Sequence, residues 1–134
     1  MQRRVRGWTT AMLLLLLMGC AAVGETKTVN DYHNEGLQRY KDHDYPGALQ
    51  ALQEGLTLAR AAGDQRMESA LLNSLGYVYV ALKDSSQTQI ALEQALRLAH
   101  ENGYRDLEMS AYYSMGIIHS LTENYAQAQV ALEQ

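Results

Sequence analysis

Two stretches of the sequence share one residue pattern. They are YPGALQALQEGLTLARAAGDQRME, residues 45–68, and SSQTQIALEQALRLAHENGYRDLE, residues 85–108. Identical residues recur when position 45 is aligned with position 85, among them Leu52/Leu92, Leu56/Leu96, Leu58/Leu98, Ala59/Ala99, Gly63/Gly103 and Glu68/Glu108. The same offset joins Gly36, Gly76 and Gly116, and it joins Leu52, Leu92 and Leu132. Because many independent positions agree on one period, the sequence predicts a repeated supersecondary unit.

The residue pattern of each unit predicts two helices. Alanine, leucine, glutamine and glutamate dominate, and no alternating run rich in valine, isoleucine or threonine is present, so an all-α fold is predicted. Asp44, Asp84 and Asn124 precede the second helix of each unit and are favourable N-caps. Gly63 and Gly103 suit the left-handed position after a helix end. The predicted helices cover residues 30–41, 45–62, 65–82, 85–101, 105–121 and 125 onward.

Three glycines fall in the middle of predicted helices. Gly36, Gly76 and Gly116 each cost a helix about 1 kcal/mol relative to alanine. That cost is tolerated where two helix axes approach closely, so we expect each glycine to face a neighbouring helix. Small residues of the second helices are the matching positions: Ala48, Gly55, Ala95 and Ala128.

This pattern resembles the tetratricopeptide repeat (TPR). The resemblance rests on Leu75-Gly76-x-x-Tyr79, Tyr45-x-x-Ala48 and Ala91-Leu92-x-x-Ala95-Leu96, and the 40-residue period with the loop at 59–64 is similar to a longer-repeat subgroup. It covers residues 30–134 and implies a right-handed superhelical solenoid of helix-turn-helix repeats. About two and a half repeats are present, as if the chain were truncated. The sequence departs from the family pattern at Arg39, His119, Ser85 and Thr88.

The resemblance also implies a binding groove, because the first helices of TPR units line a concave surface. It assigns nine residues to that surface: His33, Leu37, Tyr40, Asn73, Tyr77, Val80, Tyr113, Ile117 and Ser120. Asn73, Tyr77, Val80, Tyr113 and Ile117 are the candidate partner-binding residues. None of the nine is lysine or arginine, so the cationic set with which some relatives hold a C-terminal carboxylate is missing. A peptide or an amphipathic helix of a protein partner suits such a surface. The alternative is that several of these tyrosines are buried between units.

The first twenty residues resemble the export signal of a bacterial lipoprotein. A basic segment, residues 1–7, precedes an apolar stretch, residues 8–18, that is too short to cross a bilayer as a helix. Leu17-Met18-Gly19-Cys20 resembles a lipobox, and Cys20 is the single cysteine. The resemblance implies a signal peptide at 1–19, diacylglycerol and palmitate on Cys20, and a tether at 20–29. Ala21 implies sorting to the outer membrane, facing the periplasm. A secretory signal cleaved near residues 22–24 and an uncleaved anchor are the alternatives.

Charge and motifs exclude several functions. Three of the eleven basic residues precede Cys20 and all fifteen acidic residues follow it, so a chain beginning at Cys20 carries a formal charge of −7. Nucleic acid is therefore an unfavourable partner. His33 and His43 lack a metal-binding spacing, so no metal site is expected. No nucleophile elbow or phosphate loop is present. We expect no cofactor and no enzymatic activity.

Together these features predict a protein–protein interaction scaffold or adaptor of the bacterial envelope, anchored to the membrane by its N-terminal lipid. An alternative of another class is that residues 30–134 are the N-terminal regulatory region of a longer enzyme, such as a caspase-like peptidase. A His and Cys pair encoded downstream of Gln134 would favour that alternative.

Overall fold

A computed structural model describes residues 26–132, with side chains as far as Glu123. The predicted signal peptide and Cys20 lie outside the described residues, as does most of the tether. Residues 26–132 form five α-helices and contain no strand, which confirms the all-α prediction. The helices are α1 (Val29–Lys41), α2 (Tyr45–Ala62), α3 (Gln65–Ala81), α4 (Ser85–Glu101) and α5 (Arg105–Leu132).

The helices pack mainly against their neighbours in the chain. Each of α1 to α4 contacts the next helix, α1 also contacts α3, and α3 also contacts α5. Within residues 26–132, α2 and α4 do not touch each other. The first helices of successive units are therefore adjacent, and each second helix contacts only first helices.

The caps predicted at Asp44, Asp84, Gly63 and Gly103 are confirmed, and Asp64 caps α3 in the same way. The carboxylates of Asp44, Asp64 and Asp84 accept hydrogen bonds from the backbone N–H three residues later, each at 3.0 Å. Gly63 and Gly103 have φ of 69° and 68°, the left-handed conformation that glycine adopts without a steric penalty. These contacts satisfy backbone groups that a helix end leaves without partners.

The first helix starts one residue earlier than predicted. The Thr28 hydroxyl accepts a hydrogen bond from the Asp31 N–H at 3.2 Å, and the Asp31 carboxylate accepts one from the Thr28 N–H at 2.7 Å. This reciprocal capping box starts α1 at Val29. The last residue of the predicted tether is therefore helical.

The turn inside each of the first two units contains a residue with positive φ. His43 has φ of 62° and Lys83 has φ of 59°, although neither is glycine or asparagine. Directly after them, the Asp44 N–H donates to the Arg39 carbonyl and the Asp84 N–H donates to the Tyr79 carbonyl, both at 2.9 Å. These bonds close the α1–α2 and α3–α4 turns with the same geometry.

The predicted break near residue 122 is wrong, because α5 continues through that region to Leu132. Asn124 therefore does not begin a separate helix. Glu123 follows Lys83 by one repeat period and holds the position that needs positive φ in the first two units. In those units the reversed helix contributes 18 or 17 residues of packing. Positive φ is unfavourable for a glutamate, and in α5 this residue is helical instead.

Leucine and alanine side chains packed between successive helices form the core. Leu52, Leu71 and Leu92 are nearly fully buried. Leu52 lies against Gly36, and Leu92 lies against Gly76, so a β-carbon on either glycine would be 2.5 or 2.6 Å from the nearest leucine atom. The prediction that these two glycines face neighbouring helices is confirmed. Gly116 differs, because no neighbouring described side chain lies within 4 Å of its β-carbon position.

Candidate partner-binding face

Three hydrogen bonds made by the nine assigned residues join the first helices of the units. His33 Nε2 lies 2.9 Å from the Ser74 hydroxyl oxygen, which ties α1 to α3. Asn73 donates from Nδ2 to Ser110 at 3.1 Å. The Ser114 hydroxyl donates to the Tyr77 hydroxyl oxygen at 2.8 Å, so two bonds tie α3 to α5. We name the surface formed by the nine residues assigned above the first-helix face.

A depression of about 280 Å³ lies between α1 and α3. Its floor includes Gly36 and Leu52, which shows that the close approach of α1 and α2 shapes it. Leu37, Tyr40 and Tyr77 of the first-helix face line it together with Ser74 and Val78. The lining is therefore apolar and aromatic, with hydroxyl groups at the phenol and serine positions.

A second, more open depression of about 390 Å³ lies along α5. Three residues of the first-helix face line it, namely Tyr113, Ile117 and Ser120, next to Gly116 and Leu121. Tyr113 is 69% exposed, an unusual degree for a large aromatic side chain. Six of the nine assigned residues therefore line one of the two depressions.

The five candidate partner-binding residues occupy different environments. Tyr113 is exposed, whereas Tyr77, Val80, Asn73 and Ile117 are half-buried. Tyr77 lines the first depression and also accepts the Ser114 hydrogen bond, so it is both a wall of the site and part of the α3–α5 junction. Asn73 also lies at the α3–α5 junction, where it donates to Ser110. Its Oδ1 is buried and has no hydrogen-bond partner among the described residues.

Two ionisable residues of the first-helix face favour their neutral forms. Burial lowers the pKa of His33 below its ordinary value of 6.5. Burial also raises the pKa of Tyr40 above its ordinary value of 10.0, and the nearby Tyr45 and Tyr77 hydroxyls raise it further. Desolvation disfavours the charged form in both residues, so neither carries a charge at neutral pH.

Sequence reasoning missed the polar links that repeat with the period. Arg60 donates to Glu68 at 2.8 Å, and one period later His100 Nδ1 lies 3.0 Å from Glu108. Arg66 also pairs with Asp106, which occupies the equivalent position of the next unit. Glu68 and Glu108 recur at the repeat offset, but their partners Arg60 and His100 are different residue types. The alignment therefore did not indicate the pairing.

The described residues 26–132 contain no cluster of three or more His, Cys, Asp or Glu side chains that would hold a metal ion. His33 and His43 are not brought together around a site, since His33 bonds to Ser74 and His43 lies beside Tyr45. Among the described helices, none combines the length and apolar character needed to cross a bilayer. No protein-family model, curated protein or solved structure matches this chain.

Proposed function

We propose that this protein is an interaction module whose first-helix face binds a peptide or an amphipathic helix of a protein partner. In this proposal the helices form a right-handed TPR-like solenoid, and the first-helix face is its concave side. The module acts as a scaffold or adaptor and performs no catalysis. An extended peptide or a helix can follow α1, α3 and α5 in turn because these three helices are adjacent.

The observation that carries this proposal is the uncharged aromatic surface of the first helices. Tyr40 and Tyr77 line one depression, and Tyr113 stands out from the other. Tyrosine contributes a large rigid contact area with a polar tip, and it is enriched at protein interfaces. None of the nine residues of the first-helix face is lysine, arginine, aspartate or glutamate.

Site-specific photocrosslinking in cells tests this proposal. A photoreactive phenylalanine analogue at Tyr113, or at Leu37 in the first depression, should form an adduct with another protein. The same analogue at Tyr112 is the matched control, since Tyr112 directly precedes Tyr113 in α5, is 58% exposed and lines neither depression. Adducts at Tyr112 that equal those at Tyr113 and Leu37 would contradict the proposed site.

We further propose that the module is held at the outer membrane by lipid on Cys20 and faces the periplasm. The support is the basic segment, the short apolar stretch and the lipobox-like residues 17–20. Each buried methylene contributes about 0.8 kcal/mol, so two or more acyl chains anchor a protein stably where one does not. The acidic remainder of the chain then contributes nothing to the membrane attachment.

A further inference from the structure

One side of α5 carries a regular series of exposed residues. The series, which we call the outer stripe of α5, consists of Arg105, Met109, Tyr112, Gly116, His119 and Glu123. All six are exposed, and successive members are four and three residues apart in turn. An α-helix places residues of this spacing within an arc of about 80°, so they form one continuous face. Such heptad spacing is typical of a helix that packs along a second helix.

The outer stripe lies on the side of α5 that no described helix covers. On the other side of α5, Ala111 and Ser114 are fully buried, and Ser114 hydrogen-bonds to Tyr77 of α3. The rest of the described molecule therefore packs behind α5 and leaves the outer stripe open.

The side chains of the outer stripe differ from those at the equivalent positions of α3, which α4 covers. Ser69 and Leu72 stand one period before Met109 and Tyr112. The Ser69 hydroxyl donates to the Ala95 carbonyl of α4 at 2.9 Å, a separation that leaves no room for a methionine side chain. The outer stripe therefore suits an occupant other than a helix packed as closely as α4.

The charges at the two ends of the outer stripe indicate what that occupant is. Arg105 is basic and Glu123 is acidic, and they lie on the same side of α5, about 27 Å apart along the helix. A second α5 that runs antiparallel, centred level with Ser114, brings Arg105 of each copy beside Glu123 of the other. We propose that the outer stripe binds the outer stripe of a second copy of this chain, which forms a symmetric antiparallel dimer.

The same register also fits the middle of the outer stripe. When the charged ends are paired, Tyr112 of each copy lies opposite Gly116 of the other, on either side of the two-fold axis. No neighbouring described side chain lies within 4 Å of the β-carbon position of Gly116, so this glycine leaves space that the phenol ring fills. Met109 then lies opposite His119. The charges and the shapes of the side chains therefore favour one register, and both copies contribute the same surface, as a two-fold interface requires.

A parallel pair of α5 helices is less favourable. It would place Arg105 beside Arg105 and Glu123 beside Glu123, and like charges that face each other disfavour association. It would also place the two Tyr112 rings together and leave the space beside Gly116 unfilled. The antiparallel direction is therefore the one that the outer stripe supports.

Disulfide trapping in the full chain tests this pairing and leaves the charged ends intact. The variant carries Met109→Cys and His119→Cys in a Cys20→Ser background, so that the engineered thiols are the only ones. Within one chain the two positions are about 15 Å apart, whereas a disulfide requires Cα atoms within about 7 Å. After oxidation of the purified protein, we therefore expect a covalent dimer on a non-reducing gel. Each single cysteine variant is a control and should remain monomeric, because an antiparallel pair keeps its two identical positions apart.

Two results would overturn the proposal. Covalent dimers of the single variants that are as abundant as those of the double variant would indicate a parallel pair or unspecific contact. Absence of a covalent dimer from the double variant would show that the outer stripe has some other occupant or none.

Charge reversal gives an independent check by analytical ultracentrifugation of the Cys20→Ser chain. Arg105→Glu sets carboxylates against each other at both ends of the pair, so the dissociation constant of the dimer should increase by roughly ten-fold or more. Arg105→Glu combined with Glu123→Arg restores opposite charges and should return the constant to within about three-fold of the unreversed chain. Arg97→Glu makes the same charge change on α4 and should leave the constant unchanged. A double reversal that dissociates as readily as Arg105→Glu would contradict the proposed register.

The dimer and the first-helix face are tested separately. If two copies pair in this way, the photoreactive analogue at Tyr112 forms an adduct of two copies, with twice the mass of the chain. An adduct with a different protein at Tyr113 or Leu37 has another mass. Either proposal can therefore fail while the other holds.

Discussion

Leu92 lies so close to the backbone of Gly76 that a β-carbon on Gly76 would be 2.6 Å from Leu92 Cδ2 and 2.9 Å from Leu92 Cγ. Leu52 has the same relationship to Gly36, one period earlier. Both leucines are nearly fully buried in the core. The close approach of the paired helices depends on these two contacts.

The first prediction concerns this contact. Gly76→Ala should destabilise the protein by about 1 kcal/mol. Overpacking costs about 1–3 kcal/mol, and the higher helix propensity of alanine offsets part of this cost. Leu92→Ala should cost about 2–5 kcal/mol. The double variant should be about 1–2 kcal/mol more stable than the sum of the single effects predicts, because the added methyl group fills part of the cavity. Urea unfolding of all four proteins measures this coupling, and additive effects would contradict it.

The second prediction concerns His33 and pH. The unfolded chain protonates His33 near pH 6.5, whereas burial lowers its pKa in the folded state. The unfolded state therefore binds more protons between these two values, and the free energy of unfolding should fall as the pH drops below about 6.5, levelling off below the folded pKa.

His33→Gln keeps a hydrogen-bonding group for Ser74 but lacks this titration. The difference in stability between wild type and variant should therefore change from pH 7.5 to 5.5 as measured by urea unfolding. The carboxyl groups of Asp31, Glu35 and Asp44 have lowered pKa values, so they titrate below 3.8 or 4.5 and outside this range. If the free energies of unfolding of the two proteins change with pH in parallel, His33 does not gain protons on unfolding, which would contradict the prediction.

The third prediction concerns the N-cap of α4. Asp84→Ala removes the acceptor for the Gln87 N–H and should destabilise the protein by about 1 kcal/mol. Asp84→Asn keeps a side-chain oxygen at the same position and should cost much less. Thermal unfolding followed by circular dichroism compares the two. Equal losses would indicate that the charge of Asp84 matters more than its capping hydrogen bond.

The fourth prediction concerns the membrane anchor. Cells grown with labelled palmitate should incorporate the label into the wild-type protein and not into Cys20→Ala. Ala21→Asp should keep the label but shift the protein from the outer to the inner membrane on a density gradient, as the resemblance to lipoproteins implies. Incorporation of label into Cys20→Ala, or an unmodified thiol on mature Cys20, would exclude this form of anchoring.

Much of the fold follows from short-range signals in the sequence. The repeat offset, the aspartates at 44, 64 and 84, and the glycines at 63 and 103 predict five helix boundaries within one or two residues. Each signal acts through a local hydrogen bond or a left-handed residue, so no knowledge of the tertiary structure is needed. The glycines at 36 and 76 also predict the helix pairs, because few other reasons justify glycine in a helix interior.

Features that depend on distant contacts were less predictable. His43 and Lys83 carry no residue-type signal for positive φ, because packing of the following helix imposes that conformation. The continuous α5 was also unpredictable for this reason. The capping signal at Asn124 is local, whereas the burial that would stabilise a turn depends on contacts with distant residues. The hydrogen bonds from Asn73 to Ser110 and from Ser114 to Tyr77 join different units, so sequence spacing alone could not identify them.

The position of α3 has a consequence for the dynamics of the protein. It contacts each of the other described helices, whereas α2 and α4 do not meet within that part of the chain. Cooperativity in such an arrangement passes from helix to helix through nearest neighbours. Amide protons of α3 should therefore exchange with solvent most slowly, and protection should decrease towards α1 and along α5, so that the ends open while the middle stays closed.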